Sequence, residues 1–213
     1  MFSRPAFLDP VWRLAELGGP VLILLLIVSI LTLSLVLLKL LQYKWARVGK
    51  RKRLQDAINE WDAGDKKAAR AALGRSRHFL APVVELGMNL EGRSGVQGRL
   101  ESEAERRLAP LEGGFRILDT VAQLAPLLGL LGTVLGMIEA FQALQDAGTQ
   151  VDPSLLAGGI WVALMTTAAG LSVAMPTSVA LSWFEARIDA ERAFAEYAFA
   201  TLTTPTRSGG DGA

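Results

Sequence analysis

The chain has 213 residues, of which 51% are apolar and 20% charged, whereas soluble domains carry about 25% charged residues. The apolar residues gather in three long blocks with the charges between them, which excludes a single soluble globule. With no Cys and one His, disulfide frameworks, thiolate metal sites and cysteine nucleophiles are excluded, and imidazole catalysis is disfavoured. The net charge of +1 says nothing about nucleic acid, but its distribution is informative.

Residues 1–18 precede the first apolar block, which runs from Gly19 to Tyr43. Its nineteen-residue stretch Pro20–Leu38 holds no charge. At about 1.5 Å rise per residue, some twenty residues cross a hydrocarbon layer of roughly 30 Å. The stretch is longer than a signal-peptide core, follows a segment carrying Asp9 and Glu16, and lacks a small-x-small cleavage site, so a retained anchor is expected.

Residues 44–114 read as a helical domain. Leu54, Ile58 and Trp61 recur at helical spacing, and an Ala-rich run ends at Leu73. Gly74 and Pro82 mark turns, and Phe79, Leu80, Val83, Val84, Leu86, Met88 and Leu90 form an apolar patch. Gly92, Ser94 and Gly95 make another break. Glu101–Leu111 is expected to extend the second span as helix, with Pro110 and Gly113-Gly114 marking a kink. His78 reads as a surface or helix-packing residue.

The second span covers residues 115–144, and a turn at 145–154 leads to the third, residues 155–183. Residues 184–213 read as a helix followed by a disordered tail rich in Gly, Ser, Thr and Pro. Orientation follows from Lys and Arg. Residues 1–18 hold two, 39–116 hold seventeen, 142–154 hold none and 184–213 hold three. The middle segment is therefore expected in the cytoplasm, with the N-terminus and the 145–154 turn outside and the C-terminus inside. The run Lys50-Arg51-Lys52-Arg53 reads as topogenic charge touching anionic lipid heads, since it abuts a span and lacks the interleaved aromatics of a nucleic-acid site.

The second and third spans are rich in small residues. Pro126, Gly129, Thr133, Gly136 and Ala140 fall on one helical face, and Gly132 and Gly136 form a GxxxG pair. Gly159, Ala163, Thr166/Thr167, Gly170, Ala174 and Thr177/Ser178 make a matching stripe. Such stripes let helices pack closely in lipid. Thr133 and Thr167 lie near mid-span, where their hydroxyls either bond back to their own helix or line a space for a polar partner group. Asp119 is expected to pair with Arg116 near one end, and Glu139 to face water near the other. Asp119, Gln123 and Glu139 are candidates for a polar relay, but none lies at the midplane. A central carboxylate for proton movement would have to come from another chain.

Residues 123–142, QLAPLLGLLGTVLGMIEAFQ, and 158–176, GGIWVALMTTAAGLSVAMP, resemble the second- and third-span signatures of the MotA/TolQ/ExbB proton-channel family. The resemblance covers roughly residues 115–190, and the length and three-span plan are most similar to ExbB and TolQ. It implies an all-α membrane protein with spans two and three extended into the cytoplasm. It also implies a homopentameric ring in the Gram-negative inner membrane that encloses two single-span chains of an ExbD/TolR-like partner. An Asp of that partner would face Thr133 and Thr167, and proton flow would energise a TonB- or TolA-like protein for outer-membrane transport or envelope maintenance. Gly129, Gly132, Gly136, Ala163, Gly170 and Pro176 would pack helices or face the pore. Val162 stands where many relatives carry Glu, which removes a carboxylate relay from this helix. A non-conducting scaffold that merely packs a partner helix is the alternative. An intramembrane enzyme fails on inventory, and no metal, cofactor or nucleic acid is expected.

Overall fold

A computed structural model describes residues 9–146 and 153–206. The described residues form seven α-helices and no strand: α1 (Asp9–Ala46), α2 (Lys52–Asp62), α3 (Lys66–Gly74), α4 (Ala81–Asn89), α5 (Val96–Glu112), α6 (Phe115–Asp146) and α7 (Pro153–Thr203). Helix α1 is broken at Gly19, whose φ of 63° only glycine adopts cheaply, and Pro20 restarts it. Three helices, Gly19–Ala46, Phe115–Asp146 and Leu156–Thr203, are long and apolar enough to cross a membrane. Most of the expected 145–154 turn, at 147–152, lies outside the described residues. So do residues 1–8 and the tail from 207.

The chain divides into two compact units. The first comprises the chain up to Val36 together with Gly114–Leu181. Its core is small: Val21 and Leu25 of α1 meet Ala125 of α6 and Ala174 of α7, with Val121, Leu128, Ala169 and Val173 packed around them. The unit leaves large aliphatics bare, among them Leu31 at 64% and Leu164 at 62% exposure. Only 22%, 17% and 17% of the most apolar stretches of the three long helices is buried by the chain itself. Apolar surface on this scale needs lipid or other protein around it.

The second unit comprises Leu37–Gly113 and the chain from Ser182. Helix α2 buries Leu54, Ala57, Ile58 and Trp61 at helical spacing. Gly64, at φ 88°, turns the chain into α3, whose first turn is capped by the Asp65 carboxylate accepting from Ala68 N–H at 2.8 Å. The Gly64-Asp65 pair is a helix-stop and helix-start signal that the sequence reading passed over. Pro82 sits in the first turn of α4. Leu80, Val83, Val84 and Met88 are buried, with Phe79, Leu86 and Leu90 packed against them. Gly92 and Gly95, at φ 75° and 74°, form the break before α5. Helix α5 buries Val96, Leu100, Ala104, Leu108 and Leu111 as one stripe. The last turns of α7 close this core with Phe194, Ala195, Ala198, Phe199 and Leu202.

One expectation is corrected. Glu101–Leu111 does not extend the second span: it belongs to α5, which ends at Glu112, and α6 starts afresh at Phe115. Gly113 leaves helical geometry (φ −50°, ψ 129°) and Gly114 sits at φ 91°, so the backbone breaks rather than kinks. Pro110 is accommodated within α5. The third apolar helix does continue unbroken, from Pro153 to Thr203.

Candidate functional site

In the first unit α6 and α7 meet along the small-residue stripes. Gly129, Gly132, Gly136 and Ala140 are the buried positions of the mid-portion of α6. The three glycines face Ala163, Thr166 and Gly170 of α7, all buried, and Ala140 faces the half-buried Gly159. A methyl group on Gly132 would lie 2.6 Å from the Thr166 side chain, and one on Gly170 would lie 2.5 Å from the Ala125 carbonyl oxygen. Backbones this close require residues without side chains. Pro176 is exposed on α7, and its ring leaves the Ser172 carbonyl without its helical donor. Val162 is half-buried.

The hydroxyls sit on this seam. Thr167, half-buried, donates across the seam to the Gly129 carbonyl at 3.2 Å. Thr166 is 1% exposed. Its Oγ1 lies 2.7 Å from Ala163 O in its own helix and 3.2 Å from Gly129 O. One hydroxyl has one proton, so the shorter bond to Ala163 takes it and Gly129 O is left to Thr167. Thr133, one turn beyond Gly129 and half-buried, donates to Leu130 O at 2.5 Å. Both Thr133 and Thr167 therefore commit their protons to carbonyls within the chain and retain their lone pairs. The fully buried hydroxyl is that of Thr166, which its sequence neighbour obscures, because two adjacent hydroxyls on one helix look equivalent in the string TTAAGL.

The ionisable residues are disposed differently. Asp119 accepts from the Gln123 amide at 2.8 Å instead of pairing with Arg116, and both Asp119 and Gln123 are exposed. A carboxylate and an amide four residues apart share a helix face. Glu139 is exposed near the far end of α6. The relay candidates thus lie outside the buried seam. Among the described residues no cluster of His, Cys, Asp and Glu fit for a metal ion occurs.

The second unit holds a polar centre that the sequence reading missed. Glu191 is wholly buried on α7. Its Oε1 accepts from Gly49 N–H at 2.7 Å and Arg51 Nε at 3.1 Å, and its Oε2 lies 3.2 Å from His78 Nε2. Leu80 N–H donates to His78 Nδ1 at 3.3 Å, so a neutral ring carries its proton on the nitrogen facing Glu191. His78 is 3% exposed and serves as a buried joint, not a surface residue. The available signal was a charge inside an apolar stripe: Glu191 stands between Ile188 and Ala195 on the face that is otherwise buried. Nearby, Arg192 bridges Glu105 at 2.8 Å and Glu112 at 2.7 Å. The hydrogen bond from its guanidinium holds the Glu105 carboxyl below the usual carboxylate range. Lys39 of α1 is 5% exposed. It donates to Pro110 O and Leu111 O at 3.3 and 3.0 Å, which satisfies carbonyls at the end of α5.

Three long apolar helices, two of them joined through a glycine seam, define a multi-pass helical membrane protein. Residues 63–196 match the model of the MotA/TolQ/ExbB proton channel family, and the chain belongs to that family. The family is one of transport and channel proteins. An ExbB-like protein of Synechocystis is 33% identical over 185 residues, covering 82% of this chain and 72% of the relative. The biopolymer transport protein ExbB of Neisseria meningitidis is 30% identical over 185 residues, covering 79% and 84%. An ExbB homologue of Methanothermobacter thermautotrophicus is 33% identical over 138 residues, 63% of this chain, and the chain spans about half of that relative's length (48%).

Proposed function

We propose that the chain is the channel-forming stator subunit of an ExbB/TolQ-type motor in the inner membrane, with its N-terminus outside and its C-terminus in the cytoplasm. Five copies surround two single-span chains of an ExbD/TolR-like partner that carries a membrane Asp, and the assembly converts proton-motive force into work on a TonB- or TolA-like protein. The observation that carries this reading is the placement of Thr133 and Thr167: hydroxyls of two apolar helices bonded to the adjacent carbonyls of Leu130 and Gly129 on α6, in a chain of the proton channel family.

The chemistry is consistent with that role. A partner Asp in a low-dielectric lumen is held toward its neutral form by desolvation. In that state it donates a proton, and both threonines offer lone pairs to receive it. When the Asp ionises, a hydroxyl must rotate away from its carbonyl to donate instead, so the Thr–carbonyl bond is exchanged during each cycle. One proton moving through 100 mV releases about 2.3 kcal/mol, so mechanical work of several kcal/mol draws on several protons.

The test is proton flux in vesicles that contain this chain and its single-span partner. Thr167→Val keeps the shape and removes the hydroxyl; it is expected to leave assembly intact and to cut flux about tenfold or more, with Thr167→Ser restoring it. Flux unchanged in the valine variant would overturn the role of Thr167. A second reading, a non-conducting scaffold, is favoured by one observation: both hydroxyl protons are already satisfied within the chain. It requires that the unaltered pair carry no flux above that of empty vesicles.

A further inference from the structure

Near the end of α1 the second unit holds a cavity of about 360 Å³ whose lining includes Tyr43, Lys44, Gly49, Lys50, Trp183 and Arg187. Three cations line it and no carboxylate does. Among the described residues, Lys44, Lys50 and Arg187 make no ion pair with any acid, unlike Arg51, Lys66, Arg106, Arg107 and Arg192. A larger cleft beside α2 and α3 also gathers arginines, but Asp56 and Glu60 line it as well and offset their charge.

One of the three cations, Arg187, is held against an aromatic ring. The Arg187 guanidinium lies 5.3 Å from the centre of the Trp183 ring, a cation–π distance. Trp183 in turn lies 6.3 Å from the ring of Tyr43. Gly49 makes the space: at φ 84° it closes the turn after α1, and a methyl group there would lie 3.1 Å from Arg187 Nη1. The cavity adjoins Leu40 in the last turns of the apolar helix Gly19–Ala46, where neighbouring Leu41 is 52% exposed. Aromatic rings with cations at the end of an apolar helix are what the headgroup layer of a bilayer selects.

We propose that Lys44, Lys50 and Arg187 form a binding site for the phosphate of an anionic membrane phospholipid, with Trp183, backed by the buried Tyr43, at the level of its glycerol and Leu40 and Leu41 against its acyl chains. The charge of the site calls for a phosphate. The apolar flank and the aromatic pair favour a lipid over a free anion. The site requires that α1 be embedded in a membrane, but it does not require proton conduction, and its test does not read flux.

The full-length protein in detergent micelles would be titrated with dioleoylphosphatidylglycerol, with dioleoylphosphatidylcholine and with inorganic phosphate, and bound lipid counted by native mass spectrometry. The anionic lipid is expected to bind at least about tenfold better than the zwitterionic one. K44Q/K50Q/R187Q is expected to erase that preference, and K67Q/R93Q/R99Q, which removes three cations elsewhere, to keep it. R187Q and K50Q alone, each expected to lower the preference about threefold, serve if the triple variant fails to retain its helical circular dichroism. Equal loss in both triple variants would mean diffuse surface charge and overturn the proposal. Displacement of the lipid by inorganic phosphate at comparable concentration would do the same, by showing a site for the free anion.

Discussion

Glu191→Ala is expected to cost the second unit about 3–5 kcal/mol, the cost of breaking a buried charge network by removing one partner. The carboxylate is fully buried and ties α7 to two other pieces of chain: the turn from Gly49 to Arg51 between α1 and α2, and His78 before α4. Alanine leaves the Gly49 amide without an acceptor and His78 facing a void. The readout is amide hydrogen exchange in the intact protein, where protection of residues 49–54 and 78–84 should fall by two orders of magnitude or more. Glu191→Gln is expected to cost less but not to be silent. Its oxygen still serves Gly49, but its amide then opposes the protonated Nε2 of His78, and the ring cannot exchange tautomers without losing the bond from Leu80 N–H. Arg51→Met is also expected to be costly, because beside a neutral His78 it leaves the wholly buried Glu191 carboxylate without a cation, held only by the Gly49 N–H and the His78 ring. If Glu191→Ala protects these segments as the unaltered chain does, the polar centre does not hold them.

The elements that were legible in the sequence and those that were not divide on a physical line. Apolar length announces a membrane helix because lipid acts on each residue independently, so the three spans could be read without knowing what touches what. The α6–α7 seam was legible for a related reason. Close backbone approach demands small residues at a fixed period, and Gly129, Gly132, Gly136, Ala163 and Gly170 supply it. The second unit was harder. Its helices are short, from nine to seventeen residues, and their joints depend on pairings that sequence distance hides. Glu191 lies 113 residues after His78 and 142 after Gly49. No local pattern records that these groups meet, although a carboxylate within the stripe Ile188–Ala195 was a visible anomaly. The Gly113-Gly114 pair was legible as a weak point, but whether it kinks a helix or ends it depends on backbone angles that the two residues alone do not fix. Asp119 was misjudged because Arg116 at i−3 and Gln123 at i+4 are equally near along a helix, and the choice between them is made by rotamer.

Gly170→Ala is expected to destabilise the first unit although alanine is the better helix former by about 1 kcal/mol. The new methyl group would lie 2.5 Å from Ala125 O, 3.1 Å from Gly129 Cα and 3.2 Å from Gly129 N. All three are backbone atoms and cannot rotate away, so α6 and α7 must separate, at a cost of about 1–3 kcal/mol for such overpacking. Gly158→Ala supplies the contrast within the same helix, because its added methyl meets nothing within 4 Å beyond the helix's own local backbone. There the helix propensity gain should stand alone and raise stability slightly. Opposite shifts in the thermal unfolding of the two variants, in the same detergent, are the expected result, and shifts of the same sign would refute the seam as a close-packed contact. The same pair bears on the proposed channel. Separation of the helices shifts the Thr167 hydroxyl, which stands 3.2 Å from Gly129 O, away from its position on the seam, so Gly170→Ala should reduce proton flux by misplacing that hydroxyl without removing it, while Gly158→Ala should not. A Gly170→Ala variant that is destabilised yet conducts normally would mean that Thr167 acts independently of its bond across the seam. Loss of both together would place the hydroxyl and the glycine in one mechanism, with the glycine setting how near the hydroxyl stands to the carbonyl it must release.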